Sequence, residues 1–342
     1  VGISNTCIRL GEIVRCWGLN ENGQLGDGTT TDRASPTSVP GLTGVTQITA
    51  GVSHTCARLN NGTVRCWGYN GHGQLGDGTT TDRASPTSVP GLTDVAQISA
   101  NNLHTCARLN DGSVRCWGYN GHGPLGDGTT MSRLTPTTVP GLTNVAQISS
   151  GGNHSCARLN DGSVRCWGYN GNGELGDATT MSRLTPTTVP GLTNVVRIAT
   201  GGNHTCAQLN DVTLRCWGYN TYGQLGDGTT MSRLTPTTVP GLTNVAQVTG
   251  SGAHTCVRLN DSTVRCWGYN EFGQVGDGTS MDRVSPTLVP GLSNVAQIES
   301  SSRHTCARLN DGTMRCWGYN NRAQLGDGTM VDRLIPTLVV AL

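Results

Sequence analysis

The tripeptide Cys-Trp-Gly recurs at Cys16, Cys66, Cys116, Cys166, Cys216, Cys266 and Cys316, a constant step of 50 residues that runs the length of the 342-residue chain. A period of this size marks an array in which each unit buries its apolar face only against its neighbours. The fold must therefore be sought within one repeat, and function where the seven copies differ. Gly contributes 49 residues, charged residues 13% and aromatics 4%, a balance that suits turns and short strands rather than long amphipathic helices. The formal charge is +1, and all 23 basic residues are Arg, spread evenly over the repeats. That distribution argues against nucleic acid or an anionic membrane as partner, since both need a concentrated basic face. No apolar run approaches the roughly 18 residues of a membrane span, and no charged-then-apolar leader precedes the first repeat. A chain that starts at Val1 without Met reads as a mature or excised form.

The second copy serves as the template. Residues 45–50, 54–59 and 63–68 are short runs rich in β-branched residues, and Asn60-Asn61-Gly62 between the last two reads as a three-residue hairpin loop with Gly in the left-handed position. A long connection rich in Gly, Asn, Asp and Thr follows, and then residues 86–91, whose two prolines confine them to an edge strand. Four short strands per repeat of this length predict a β-propeller. The expected fold is thus all-β: seven four-stranded antiparallel blades forming a single domain over residues 1–342. One inner strand is missing, because the run resembling V-A-Q-I occurs only six times.

Each copy has two cysteines: Cys7 with Cys16, Cys56 with Cys66, Cys106 with Cys116, Cys156 with Cys166, Cys206 with Cys216, Cys256 with Cys266 and Cys306 with Cys316. If Leu59 pairs with Thr63, counting back places Cys56 opposite Cys66 at a non-hydrogen-bonded pair, where Cα atoms lie about 4.5 Å apart and a disulfide fits. The first copy is shorter by one residue at this turn, Leu10-Gly11-Glu12-Ile13, yet its count again lands Cys7 opposite Cys16. Two thiols sharing a metal would tolerate a slip in register, and no C-x-x-C clasp is present, so disulfides are preferred to zinc. Bonds of this kind predict an extracellular, cell-surface or periplasmic protein. The same register puts His54, Cys56, Arg58, Val64 and Cys66 on one face of the blade and Thr55, Ala57, Leu59, Arg65 and Trp67 on the other. Each blade's Trp face is expected to pack on the next blade's disulfide face.

The run H-T-C-A-R-L from His54, V-R-C-W-G-Y-N-x-x-G-Q-L-G-D-G-T-T from Val64 and R-x-x-P-T-x-V-P-G-L from Arg83 resembles the repeat of the regulator of chromosome condensation superfamily, over essentially the whole chain. The resemblance implies a seven-bladed propeller. Its nuclear namesake is an exchange factor for a small GTPase that also contacts chromatin, a setting that paired cysteines in every repeat speak against. Secreted bacterial members, one of them a protein inhibitor of β-lactamases that binds through one face of the ring, are closer in compartment. That likeness implies protein binding through loops and carries over no residue.

Candidates for chemistry are repeated around the chain. His54 has equivalents in all copies but the first, which has Asn5, and Asp77 and Arg83 have equivalents in all seven. A catalytic centre needs a unique convergent set, so these residues are read as structural, with no catalytic residue, cofactor or metal expected. Gly71-His72-Gly73-Gln74-Leu75-Gly76 matches the dinucleotide pattern by letter, but polar turns and proline follow it instead of a helix. The copies differ at a two-residue loop tip: Glu21-Asn22, Gly71-His72, Gly121-His122, Gly171-Asn172, Thr221-Tyr222, Glu271-Phe272 and Asn321-Arg322. Tyr222, Phe272 and Arg322 on consecutive blades, together with His72 and His122, are the expected partner-binding residues, since aromatic and Arg side chains are enriched at interface hot spots. Residues just before the His strand, Val52, Leu103, Asn153, Ala253 and Arg303 among them, vary too and would ring the channel. Sequons occur at Asn61, Asn153, Asn203 and Asn260 and matter only if the source glycosylates.

The leading expectation is a non-catalytic exported propeller that binds a protein, or copies of itself, through loop tips. A lectin-like module is the alternative; it requires an exposed Trp or Tyr beside Asn or Asp in repeated pockets between blades. An exchange-factor-like regulator ranks lower, and an enzyme last.

Overall fold

The computed structural model describes residues 1–340, whose 27 strands form seven antiparallel sheets. Strands β1 (Asn5–Leu10), β2 (Ile13–Gly18) and β3 (Arg33–Ser38) make the first blade. The second consists of β4 (Val45–Ala50), β5 (His54–Leu59), β6 (Val64–Gly68) and β7 (Arg83–Ser88), in that order from the channel outward. The remaining twenty strands repeat this order five times. As the sequence implies, the first blade has three strands rather than four among the described residues. Val1 packs beside Ile8, Trp17 and Met314 at that position.

The hairpin follows the expected register. Leu59 N–H donates to Thr63 O at 2.9 Å, Gly62 turns at φ 76°, and Cys56 lies opposite Cys66. All seven pairs are disulfide-bonded with Cα atoms 4.1 Å apart, including Cys7–Cys16 across the shortened turn, where Gly11 takes φ 62°. The outer strand is displaced from the expectation: it begins at Arg83, not Pro86. Thr87 pairs with Cys66 and Arg83 with Gly68, so the three residues 84–86 stand against Trp67 alone in a bulge. Pro86, which has no N–H for the ladder, is absorbed there.

Blades pack by the two predicted faces but in the opposite direction along the chain. Trp117, Ala107 and Leu109 of the third blade cover Cys56, Val64 and Cys66 of the second, so each Trp face meets the disulfide of the preceding blade, not the next. The direction follows from the hand in which the ring winds, which strand register does not encode. All seven Trp side chains are at most 1% exposed. Six of the seven seams carry the same polar chain, and the seam between the first and second blades, with Asn5 in place of the His, keeps only the bonds of Trp67 and Thr55 to Gln24 O. Trp117 Nε1 and Thr105 Oγ1 both donate to Gln74 O, at 2.9 and 3.0 Å, and Thr105 Oγ1 accepts from His54 Nε2 at 2.9 Å. The seam closing the ring is the same: Trp17 and Thr6 meet Gln324 O, and Thr6 meets His304. Missing one strand, the first blade still docks on the last through its second and third positions.

Candidate interaction face

The residues expected to be structural are so placed. His54, His104, His154, His204, His254 and His304 are buried in the seams. Because the partner hydroxyl, Thr in five seams and Ser155 in the sixth, spends its proton on a carbonyl, each His keeps its own on Nε2 and stays neutral. Burial is the chief cause that pushes His54, His154, His254 and His304 down to about 3 and His104 and His204 to about 4. Asp77 accepts from Thr79, Asn70 and Arg83 Nε, the last at 2.8 Å. Burial alone would raise this carboxyl, but the bonds from Thr79 and Arg83 outweigh it and hold it below the usual range.

The Asp77 cluster is one end of the scaffold that presents the loop tips. Buried Asn70 donates through Nδ2 to Asp77 and to the carbonyls of Thr79 and Thr81, and accepts Leu75 N–H. The tip backbone is pinned in turn: the N–H of His72, Tyr222, Phe272 and Arg322 each donates to the buried Gln two residues later. In the fourth blade Glu174 replaces that Gln; burial raises its carboxyl, and Asn172 holds both oxygens, so it is not a free acid. A fixed backbone with a varied side chain is the arrangement by which loops carry recognition on a rigid frame.

The varied tips and the repeated Tyr build two arcs on the face where strands β5 and β7 begin, here called the upper face. Each tip ring lies between its own blade's Tyr and that of the next blade. Tyr69, His72, Tyr119, His122 and Tyr169 form one arc, with His72 5.2 Å from Tyr119 and His122 5.1 Å from Tyr169 between centroids. Tyr219, Tyr222, Tyr269, Phe272 and Tyr319 form the other, with Tyr222 4.9 Å from Tyr269 and Phe272 4.7 Å from Tyr319. Tyr269 also donates to Glu271, and burial, then that carboxylate, push its phenol up to about 12. Asn172 and Arg322 interrupt the ladder. Arg322 does not join the Tyr222–Phe272 group: it reaches across the closing seam to Glu21 and Asp32, at 3.3 and 3.4 Å. The cation over the arc is Arg303, 5.5 Å from Phe272 and 5.3 Å from Tyr319.

Outside the arcs, on the same face, stand Met131, Met181, Met231 and Met281, 61–65% exposed. Sequence reasoning did not single them out. The signal was available, because the first two copies have Thr31 and Thr81 at this position, a polar residue that a core site would not accept.

Residues 93–342 match the model of the RCC1-like domain, and residues 14–58 and 61–108 that of the regulator of chromosome condensation (RCC1) repeat. The chain belongs to the RCC1-like propeller family, a family of protein-interaction modules. Over 54 residues it is 44% identical to the ultraviolet-B receptor UVR8 of Arabidopsis thaliana, a match spanning 15% of this chain and 12% of that receptor. In structure it resembles Prp20p from Saccharomyces cerevisiae, reported with binding properties to Gsp1p and histones, with a TM-score of 0.85 at 22% identity over 98% of this chain and 87% of that one. Human WBSCR16 is similar with a TM-score of 0.85 at 23% identity, covering 96% and 95% of the two chains.

Proposed function

We propose that residues 1–342 act as a single exported, non-catalytic propeller that binds protein, another copy of itself or a separate partner, through the upper face. The observation that carries this reading is the Tyr219–Tyr319 arc with Arg303 over it, flanked by exposed Met231 and Met281. Rigid aromatic side chains supply contact area at low entropic cost, and Met adapts to a partner's shape. Tyr222 and Phe272 with Arg303 form the proposed centre, Arg322 is a neighbouring contact fixed by its ion pairs to the first blade, and His72 and His122 belong to the other arc. Seven disulfides and no free cysteine among the described residues support export, since such bonds persist in oxidising compartments. No helix of the described residues is long and apolar enough to cross a membrane.

The carbohydrate reading requires an exposed Trp or Tyr, and it loses its best stacking platform because every Trp is buried with its indole N–H bonded in a seam. Sedimentation velocity over a wide concentration range, alone and in source fluid, tests the protein-binding reading. Tyr222→Ala with Phe272→Ala is expected to weaken association at least tenfold, a loss of about 1.4 kcal/mol or more. A parent that sediments as lone rings in both settings contradicts it.

A further inference from the structure

At the opposite, lower end of the ring each blade contributes one arginine at one level, and Arg9, Arg197 and Arg308 among them line the channel. Six stand on the second strand: Arg9, Arg58, Arg108, Arg158, Arg258 and Arg308. In the four-stranded blades this Arg faces a Gln of the inner strand across the pair: Gln47 with Arg58, Gln97 with Arg108, Gln147 with Arg158, Gln247 with Arg258 and Gln297 with Arg308. The fifth blade has the exchange, Arg197 on the inner strand and Gln208 on the second, paired with each other. The cation has moved one strand inward and stayed at the same height.

A structural role does not require that charge. Gln208 Nε2 donates to Val245 O in the next blade, as Arg58 Nη1 donates to the equivalent Val95 O, so a neutral amide makes the inter-blade bond equally well. None of the seven arginines enters an ion pair with a carboxylate among the described residues. The Nε atoms of Arg58, Arg108, Arg158 and Arg258 are buried without a partner. The guanidinium groups feel one another: burial, then Arg58, lowers Arg108, and burial, then Arg108 and Arg197, lowers Arg158. Hairpin-tip aspartates such as Asp111 and Asp161 do not offset them, being bonded to Ser113 and Ser163 and facing Arg115 and Arg165. Among the described residues Glu299 is the one acid lining the channel, and it accepts from Gln297. The channel encloses about 850 Å³ and is lined by Gln, Ser and Thr interspersed with Ile, Val and Ala.

We propose that this lower end of the ring binds a compact polyanion carrying several phosphate-type groups in one small molecule. Guanidinium groups recognise such oxyanions through paired N–H donors, and a ring of mutually repelling cations, none of them ion-paired to a carboxylate among the described residues, is stabilised by a ligand that neutralises several at once. Calorimetry with inorganic tripolyphosphate at low ionic strength tests it on the intact disulfide-bonded protein, with orthophosphate for comparison. One saturable site per ring is expected, at least 100-fold tighter for tripolyphosphate than for orthophosphate. Arg108→Gln with Arg158→Gln should weaken it at least tenfold, whereas the exchange Arg197→Gln with Gln208→Arg should leave it within twofold. If the double variant fails to fold, Arg197→Gln alone, which installs the residue five other copies carry, should weaken binding about threefold. Absence of a saturable site, many sites per ring, or equal weakening by Arg115→Gln with Arg165→Gln on the third strands overturns the proposal.

Discussion

Single residues decide how this ring responds to acid. Six His are buried neutral, each donating Nε2–H to a hydroxyl of the neighbouring blade, Ser155 for His104 and Thr for the other five, and burial holds them near 3 to 4. The unfolded chain takes up protons at these residues below about pH 6.5 while the folded ring does not, so stability is complete above that pH and is lost as pH falls toward the folded values. The slope is of order 1 kcal/mol per pH unit for each His. Thermal melting between pH 8 and 4 is expected to show the midpoint falling from about pH 6.5 downward, before the carboxylates titrate. His154→Asn, the residue type the first blade carries as Asn5, should make the fall shallower. A midpoint flat down to pH 5 would contradict the neutral seam.

At the scale of strands and turns, the hairpin joining the second and third strands is the unit most directly written in the sequence. Its turn requires a left-handed residue: Gly62, Gly112 and Gly162 meet this at φ 76–78°, but the fifth blade places Val212 there at φ 62°. A β-branched side chain in that region is strained by roughly 1–2 kcal/mol. Val212→Gly is therefore expected to raise stability by about 1 kcal/mol in denaturant titration; a loss would mean that the Val side chain gains more from contacts than the turn costs. Short runs rich in β-branched residues placed the inner, second and third strands, and counting from the turn placed every disulfide. The outer strand was less legible, since Pro86 marks an edge but does not disclose that a bulge shifts the ladder toward Arg83.

Properties of the whole molecule were the least legible, because they arise from closing the ring. Charges spaced evenly along the chain looked dispersed, yet seven equivalent blades bring one arginine each to one level at the lower end of the ring. Loop tips 50 residues apart became neighbours in two stacked arcs, which joined Tyr222 to Phe272 but left Arg322 bound to the first blade and put Arg303 in the place expected for it. The direction of the seams was likewise set by the winding of the ring. Two ends of different chemistry result, an aromatic and Met-bearing upper face and an arginine-bearing lower end.

The central claim is that the upper face meets another polypeptide. A photo-reactive amino acid placed at Phe272 in one variant and at Arg165, on the outer side of the lower hairpin, in another tests it directly when both proteins are irradiated unreduced, alone and in source fluid. The account predicts a discrete protein adduct, with a second ring or with a separate partner, from position 272 and none from 165. Equal adducts at both positions, adducts at 165 alone, or none at 272 would contradict it.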